Sequence, residues 1–146
     1  MDLNKVLVAD IESDGFLDKL TKLHVLSVGW KDSNGKWQIK STNAEEDVRK
    51  VFENKNNFIV MHNGRRFDKA AVEKIYNFKV EATIIDSLAL SWWLYPNRQK
   101  EGKKFGLEFF GEDFGVPKPK ISNEEWIGLS KDEEDIIKYY EEQGRA

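Results

Sequence analysis

Two carboxylates two residues apart, Asp10 and Glu12, close the apolar run Val6-Leu7-Val8-Ala9. A run of this kind reads as a buried strand, and strand side chains at i and i+2 point to the same side. Asp10 and Glu12 are therefore expected side by side where the strand ends, at the edge of a sheet. Like charges so placed raise each other's pKa unless a cation lies between them, and a divalent metal is the usual one. Another acid, Asp68, follows His62-Asn63-Gly64-Arg65-Arg66-Phe67. Alone, Asp68 reads as an acid in the first turn of a helix, favoured there by the helix dipole, and Asn63 as a turn or cap residue.

The elements that must position these acids can be read along the chain. Residues 5–10 form the first strand, His24 to Trp30 a second and Lys36 to Ile39 a third. Asp32-Ser33-Asn34-Gly35 carries the Asn-Gly signal of a hairpin between the last two. Thr42-Asn43 is placed to cap a helix whose apolar positions Val48, Val51 and Phe52 follow helical spacing. Phe58 to Met61 is a short, wholly apolar and so central strand, followed by the 62–64 turn and a helix from about Phe67 to Tyr76. Ala82 to Ile85 is a fifth strand, with Asp86 starting a helix over Leu88–Leu94. Leu107 to Phe114 reads as helix, Val116 to Ile121 as extended, and Lys131 onward as a charged helix. Three hairpin-linked strands followed by two strand–helix units make an α/β chain with a mixed sheet.

The bulk numbers agree with one domain. A chain of 146 residues with 40% apolar content, five Trp and nine Phe can fill one hydrophobic core. It has no cysteine, which excludes disulfides and thiolate zinc. The longest apolar run, Leu88 to Tyr95, is too short to span a bilayer, so no membrane partner is expected. No secretory or transit pattern opens the sequence, and an intracellular, cytoplasmic address is expected. The net charge of −3 argues against a protein that merely coats nucleic acid. Basic residues nonetheless cluster at Arg65, Arg66 and Lys69, at Arg98, Lys100, Lys103 and Lys104, and at Lys118 and Lys120. Three such clusters flanking carboxylates suit an anionic polymer beside metal ions, and Asn97 to Lys104 reads as a mobile polar loop.

Taken in order, Asp10-x-Glu12 and Asn63-x-x-x-Phe67-Asp68 resemble the first two motifs of the DEDD superfamily of 3′→5′ exonucleases. Also similar are Ile84-Ile85-Asp86-Ser87-Leu88, Phe105-Gly106-Leu107-Glu108, Phe114-Gly115-Val116-Pro117-Lys118 and Trp126-x-Gly128-Leu129-Ser130. The likeness runs over nearly the whole chain and is strongest to the proofreading domains of phage family-A DNA polymerases. It implies a ribonuclease-H-like α/β fold, a mixed five-stranded sheet flanked by helices. It implies two Mg²⁺ or Mn²⁺ ions at the scissile phosphate, with Asp10 bridging both, Glu12 on one and Asp68 on the outer one. Asn63, Arg65 and Arg66 are carried over as substrate contacts. Phe16 becomes the wedge on the terminal base with Leu17 beside it, although both residues equally suit core packing. The expected partners are single-stranded DNA 3′ ends and a DNA polymerase subunit or domain. A monomer is expected, in the bacterial host if the chain is phage-encoded.

The last motif departs from the family. It should read Tyr-x-x-x-Asp, with the Tyr hydroxyl steering the attacking water, and the chain offers Tyr139-Tyr140-Glu141-Glu142-Gln143-Gly144. Counting from Tyr139, the acid position holds Gln143; from Tyr140 it holds Gly144. The first register is preferred because Gln is nearer in size and Gly144 then ends the helix. Glu142 is about 100° round the helix from Gln143 and substitutes only if the last turn rewinds. A carboxamide lacks charge, so the second ion should bind weakly. The chain reads as one exonuclease domain over 1–146, truncated or minimal at its C-terminus and attenuated. The other reading is a catalytically weak module that binds single-stranded ends or a polymerase partner.

Overall fold

The computed structural model describes residues 6–118 and the helical pair Ile137 and Lys138. Five strands form one sheet in the order β3-β2-β1-β4-β5. They are β1 (Val6–Ser13), β2 (Leu23–Lys31), β3 (Trp37–Thr42), β4 (Phe58–Met61) and β5 (Thr83–Asp86). β1 lies in the middle, antiparallel to β2 and parallel to β4, and β4 is parallel to β5, so the sheet is mixed as expected. The helices are α1 (Glu45–Phe52), α2 (Asp68–Tyr76), α3 (Ser87–Leu94) and α4 (Leu107–Asp113).

β1 is longer than the sequence suggests. The apolar run stops at Ala9, but β2 continues to pair beyond it, matching Asp10 to Ser27, Ile11 to Leu26 and Glu12 to Val25. Backbone pairing, indifferent to side-chain charge, therefore carries the strand three residues past Asp10. Asp10 and Glu12 stand within the strand rather than at its end. Ala9 and Ile11 are buried on one side, and alternation puts Asp10 and Glu12 on the other.

The core joins Ala9 and Ile11 to Leu26 and Val28 of β2, Ile59 and Met61 of β4, Val48 and Phe52 of α1, and Ala71 and Val72 of α2. Fully buried Phe52 alone contributes roughly 1.5–3 kcal/mol by leaving water. Its carbonyl also accepts the N–H groups of Glu81 and Ala82, which fixes the approach to β5. α1 starts differently from the expectation. Ala44 is its N-cap and lends no side-chain bond, while the Thr42 hydroxyl ends β3, accepting the Ala44 N–H at 3.2 Å and donating to Asp47. The 32–35 hairpin behaves as expected, with Asp32 Oδ1 accepting the N–H of Asn34 and of Lys36, each at 2.9 Å.

Asn97 to Lys104 is not a free basic loop. Arg98 is only 6% exposed and organises it. The Arg98 Nε donates to the Lys104 carbonyl and Nη1 to Asp113, both at 2.6 Å, and the guanidinium lies 4.0 Å over the Phe110 ring. Nη2 is buried without a hydrogen-bond partner among the described residues, and a guanidinium so enclosed has little reach toward a phosphate outside.

Candidate active site

Three acids lie within electrostatic reach of one another at one end of the sheet. The parallel pairing of β1 with β4 reaches Val8 opposite Val60. Asp10 and Glu12 lie past that point, toward the C-terminal ends of the parallel strands, where open α/β sheets bind ligands. Across β1, β2 and β3 a polar row runs from Asp10 to Ser27 and Ser41, whose hydroxyls are 2.9 Å apart. β4 runs out of the sheet at Met61, and the 62–67 turn delivers Asp68 as the first residue of α2.

That turn is built tightly. Asn63 takes a positive φ of 63°, and a Cβ on Gly64 would run into the Met61 side chain. Asp86 secures the turn from β5, accepting the N–H of Asn63 at 3.0 Å and of Arg65 at 3.3 Å. The same carboxylate accepts the N–H of Leu88 at 3.0 Å and of Ala89 at 3.4 Å, capping α3. Asp86 is thus the helix-start residue expected from the sequence, and it also anchors the turn before Asp68.

Asp68 is only 4% exposed, and its Oδ1 is buried without a hydrogen-bond partner. Desolvation, then the charge of Asp10 and to a lesser degree that of Glu12, push its carboxyl up to about 7, against the pull of the Asp68 and Ile11 N–H groups. The helix dipole would favour the ionised form. Burial and like charge win. Asp10 is raised to about 6, by desolvation first and by Glu12 second; Lys118, the Ile11 N–H and His62 oppose the rise. Although part of Asp10 touches water, enough protein surrounds its carboxyl for desolvation to dominate.

Hard carboxylate oxygens suit Mg²⁺ or Mn²⁺, and a buried carboxylate oxygen with no donor facing it is the feature a cation would satisfy. The donor chemistry of Asp10, Glu12 and Asp68 therefore fits such an ion. Among the described residues, however, no three acidic or histidine side chains converge closely enough to hold one as they stand.

The other expected site residues separate into groups. Phe16 is 81% exposed, which rules out core packing for it, whereas Leu17 rests against the core. Their loop is organised by Asp14, a residue with only an Asp-Gly turn signal in the sequence. Asp14 accepts the N–H of Thr21 at 3.0 Å and of Lys22 at 2.9 Å and the Thr21 hydroxyl, bonds that hold its carboxyl at about 2. Lys74 of α2 donates to the Leu17 carbonyl at 2.5 Å. Arg65 and Arg66 are exposed beside the turn, and Asn63 is half-buried. Tyr139 and Gln143, with the alternatives Tyr140, Glu142 and Gly144, lie outside the described residues, as do Lys120 and the 126–130 stretch.

Two residues near the acids went unassigned in the sequence reading. His62 Nε2 donates to the Phe105 carbonyl at 2.9 Å, and Nδ1 lies 3.0 Å from the Ser87 hydroxyl. Lys118, placed by the sequence in a basic cluster and at the end of the Phe114–Lys118 stretch, acts electrostatically on Asp10.

No protein-family model matches the sequence, and a comparison with curated proteins gives no match. Comparison with solved structures does. Escherichia coli exonuclease I in complex with a dA13 oligonucleotide aligns over 76% of this chain and 36% of its own, at TM-score 0.56 and 14% identity. The zinc-bound form of an E. coli exonuclease I complex with single-stranded DNA aligns over 81% of this chain and 36% of its own, at 0.50 and 15%. Brucella melitensis NrnC with bound Mg²⁺ aligns over 85% and 61%, at 0.52 and 15%. The chain thus spans about a third of exonuclease I and about three fifths of NrnC. Among the described residues no helix is long and apolar enough to cross a membrane. At these identities the likeness is one of architecture: a five-stranded mixed sheet with flanking helices, the ribonuclease-H-like fold of exonuclease I and NrnC.

Proposed function

We propose that this chain is a metal-dependent 3′→5′ exonuclease domain of the DEDD type, acting on single-stranded or mismatched DNA 3′ ends. The observation that carries the reading is the orphaned, buried Asp68 oxygen, in an acid whose pKa Asp10 and Glu12 both raise, on the fold that exonuclease I and NrnC share. Asp10, Glu12 and Asp68 are the residues that would hold Mg²⁺ or Mn²⁺. When bound, such ions supply Lewis acidity and neutralise charge in phosphoryl transfer. The reaction is hydrolysis: water attacks the terminal phosphorus, the bond to the 3′ oxygen breaks, that oxygen takes a proton, and a 5′-mononucleotide leaves.

The chain's own residues supply the rest. Exposed Phe16, on a loop pinned by Asp14 and Lys74, stacks on the terminal base with Leu17 as its footing. Asn63 and the exposed Arg65 and Arg66 hold the last phosphates, with Asp86 fixing the backbone beneath them. Tyr139 orients the water, and Gln143 in the fourth acid position attenuates the reaction. A polymerase domain or subunit, the source of mismatched ends, is the expected partner, and the domain works as an intracellular monomer.

A second reading rests on Gln143 in the fourth acid position: a catalytically weak module that binds single-stranded DNA ends or a polymerase partner. Timed digestion of 5′-labelled single strands, mismatched duplex and blunt duplex tests the two. Stepwise shortening of the first two substrates in Mn²⁺ supports the enzyme. Tight end-binding with no shortening in either metal supports the binder.

A further inference from the structure

We propose that α3 and the loop after it form an aromatic and basic platform that holds single-stranded DNA on the 5′ side of the reacting end. This rests on the exonuclease reading and deepens it: the substrate becomes a strand several nucleotides long, gripped at two places.

An uncharged helix left in the open is the first argument. From Ser87 to Asn97 the chain carries no charged residue. A helix apolar on every side belongs in a core, yet only Ser91 of α3 is buried. Trp93 is 85% exposed, Trp92 51% and Tyr95 48%, and Leu90 and Leu94 are open as well. An apolar patch concentrated on one helix and its C-cap marks a binding surface.

The lysines among the rings say what that surface binds. Asn97 to Lys104 holds four cations and one acid, Glu101. Arg98 turns inward and shapes the loop, which leaves Lys100, Lys103 and Lys104 exposed. Lys103 shares Asp113 with Arg98, at 3.5 Å. Lys104 stands 5.3 Å over the Phe109 ring, and the next residue, Phe105, meets Trp92 edge-on at 6.2 Å. Protein interfaces are depleted in lysine, whereas a single strand takes rings for its bases and ammonium groups for its phosphates.

Continuity with the candidate site is the third argument. Asp86 caps α3 and also accepts the N–H groups of Asn63 and Arg65, so the helix starts beside that turn. His62 ties the same place to the loop, meeting Ser87 at 3.0 Å and the Phe105 carbonyl at 2.9 Å. At ~1.5 Å per residue Trp93 lies about 9 Å along α3 from Ser87, roughly three nucleotides at ~3.4 Å per phosphate. A strand whose last phosphates sit at Arg65 and Arg66 therefore reaches the platform with its upstream bases.

The experiment is binding of two dT strands to the intact chain in Ca²⁺, one of roughly 12 nucleotides and one of about three. The proteins are wild type, Trp93→Ala, Trp93→Phe and the double variant Lys100→Ala with Lys104→Ala. Trp93→Ala should bind the long strand about 10-fold more weakly, with the loss confined to that strand, and Trp93→Phe should restore the affinity. The double lysine variant should lower the slope of log affinity against log salt by about 1.4, again for the long strand alone. Equal affinity of wild type and Trp93→Ala for the long strand overturns the platform and leaves the exonuclease reading standing. Light scattering then reads the other occupant: a wild-type dimer that Trp93→Ala splits makes the face a contact between copies. Equal losses on both strands overturn the proposal by making Trp93 structural. Binding of neither strand by wild type overturns both readings together.

Discussion

Replacing Asp68 with Asn should make the metal-free protein more stable at neutral pH while removing its metal response. The carboxyl of Asp68 is displaced from its ordinary 3.8 to about 7. At about 1.4 kcal/mol per pKa unit, that corresponds to about 4 kcal/mol held against the ionised folded state. A group whose pKa is raised by folding contributes most when protonated. Its contribution is complete below pH 3.8 and is lost as pH rises through about 7. The penalty on the wild type should therefore be absent at pH 3.5 and full at pH 8. Asn keeps the shape and an oxygen for the Ile11 N–H but cannot ionise, and its amide faces acids that accept hydrogen bonds. Asp10 titrates with Asp68, which shares the penalty between them, so a gain of about 2–4 kcal/mol at pH 8 is expected. Urea unfolding of both proteins in EDTA at pH 3.5 and pH 8 measures it. Mn²⁺ at about 100 times its Kd should then add about 2.7 kcal/mol to the wild type and much less to the variant. An Asp68→Asn protein no more stable than wild type at pH 8 would refute the claim that these acids strain one another.

Asp86→Ala removes the acceptor of four backbone N–H groups in the 63–65 turn and at the start of α3. It should cost about 2–4 kcal/mol in urea unfolding. Arg65→Ala with Arg66→Ala should lower the slope of log affinity against log salt for single-stranded DNA by about 1.4, as two lost phosphate contacts predict; an unchanged slope would place the strand elsewhere. Gln143→Asp should raise the Mg²⁺-dependent rate about 10-fold, about 1.4 kcal/mol of barrier. Should Gly144→Asp do so instead, Tyr140 is the motif tyrosine.

Much of the sheet was legible because its strands carry their own signals. The apolar Phe58–Met61 and the Asp32–Gly35 hairpin declare themselves locally, and the structure has both where expected. The extension of β1 through Asp10 and Glu12 was not legible, since only its pairing with β2 sustains it. The same holds for α1, whose entry is tied down by Thr42 from inside β3 rather than by a capping side chain. Arg98 looked like a phosphate ligand because nothing in its neighbourhood of sequence shows Asp113 and Phe110 closing on it from α4. In the candidate site, the pairing of Asp10 with Glu12 follows from strand periodicity. Asp68 could be joined to them only through the family resemblance, and the influence of Lys118 and His62 on Asp10 arises purely from tertiary structure.

The account turns on whether these acids support metal-dependent removal of nucleotides from a 3′ end. A time course on a 5′-labelled single strand, comparing wild type with Asp10→Ala in Mn²⁺, Mg²⁺ and EDTA, measures that directly. Asp10 opposes solvent and other charges rather than holding the core, so Asp10→Ala should fold with equal or greater stability. Wild type should shorten the strand one nucleotide at a time, faster in Mn²⁺ than in Mg²⁺ and not at all in EDTA. Asp10→Ala should be slower by several orders of magnitude in either metal. A folded Asp10→Ala protein that shortens the strand at the wild-type rate, or wild-type cleavage that persists in EDTA, would contradict the account.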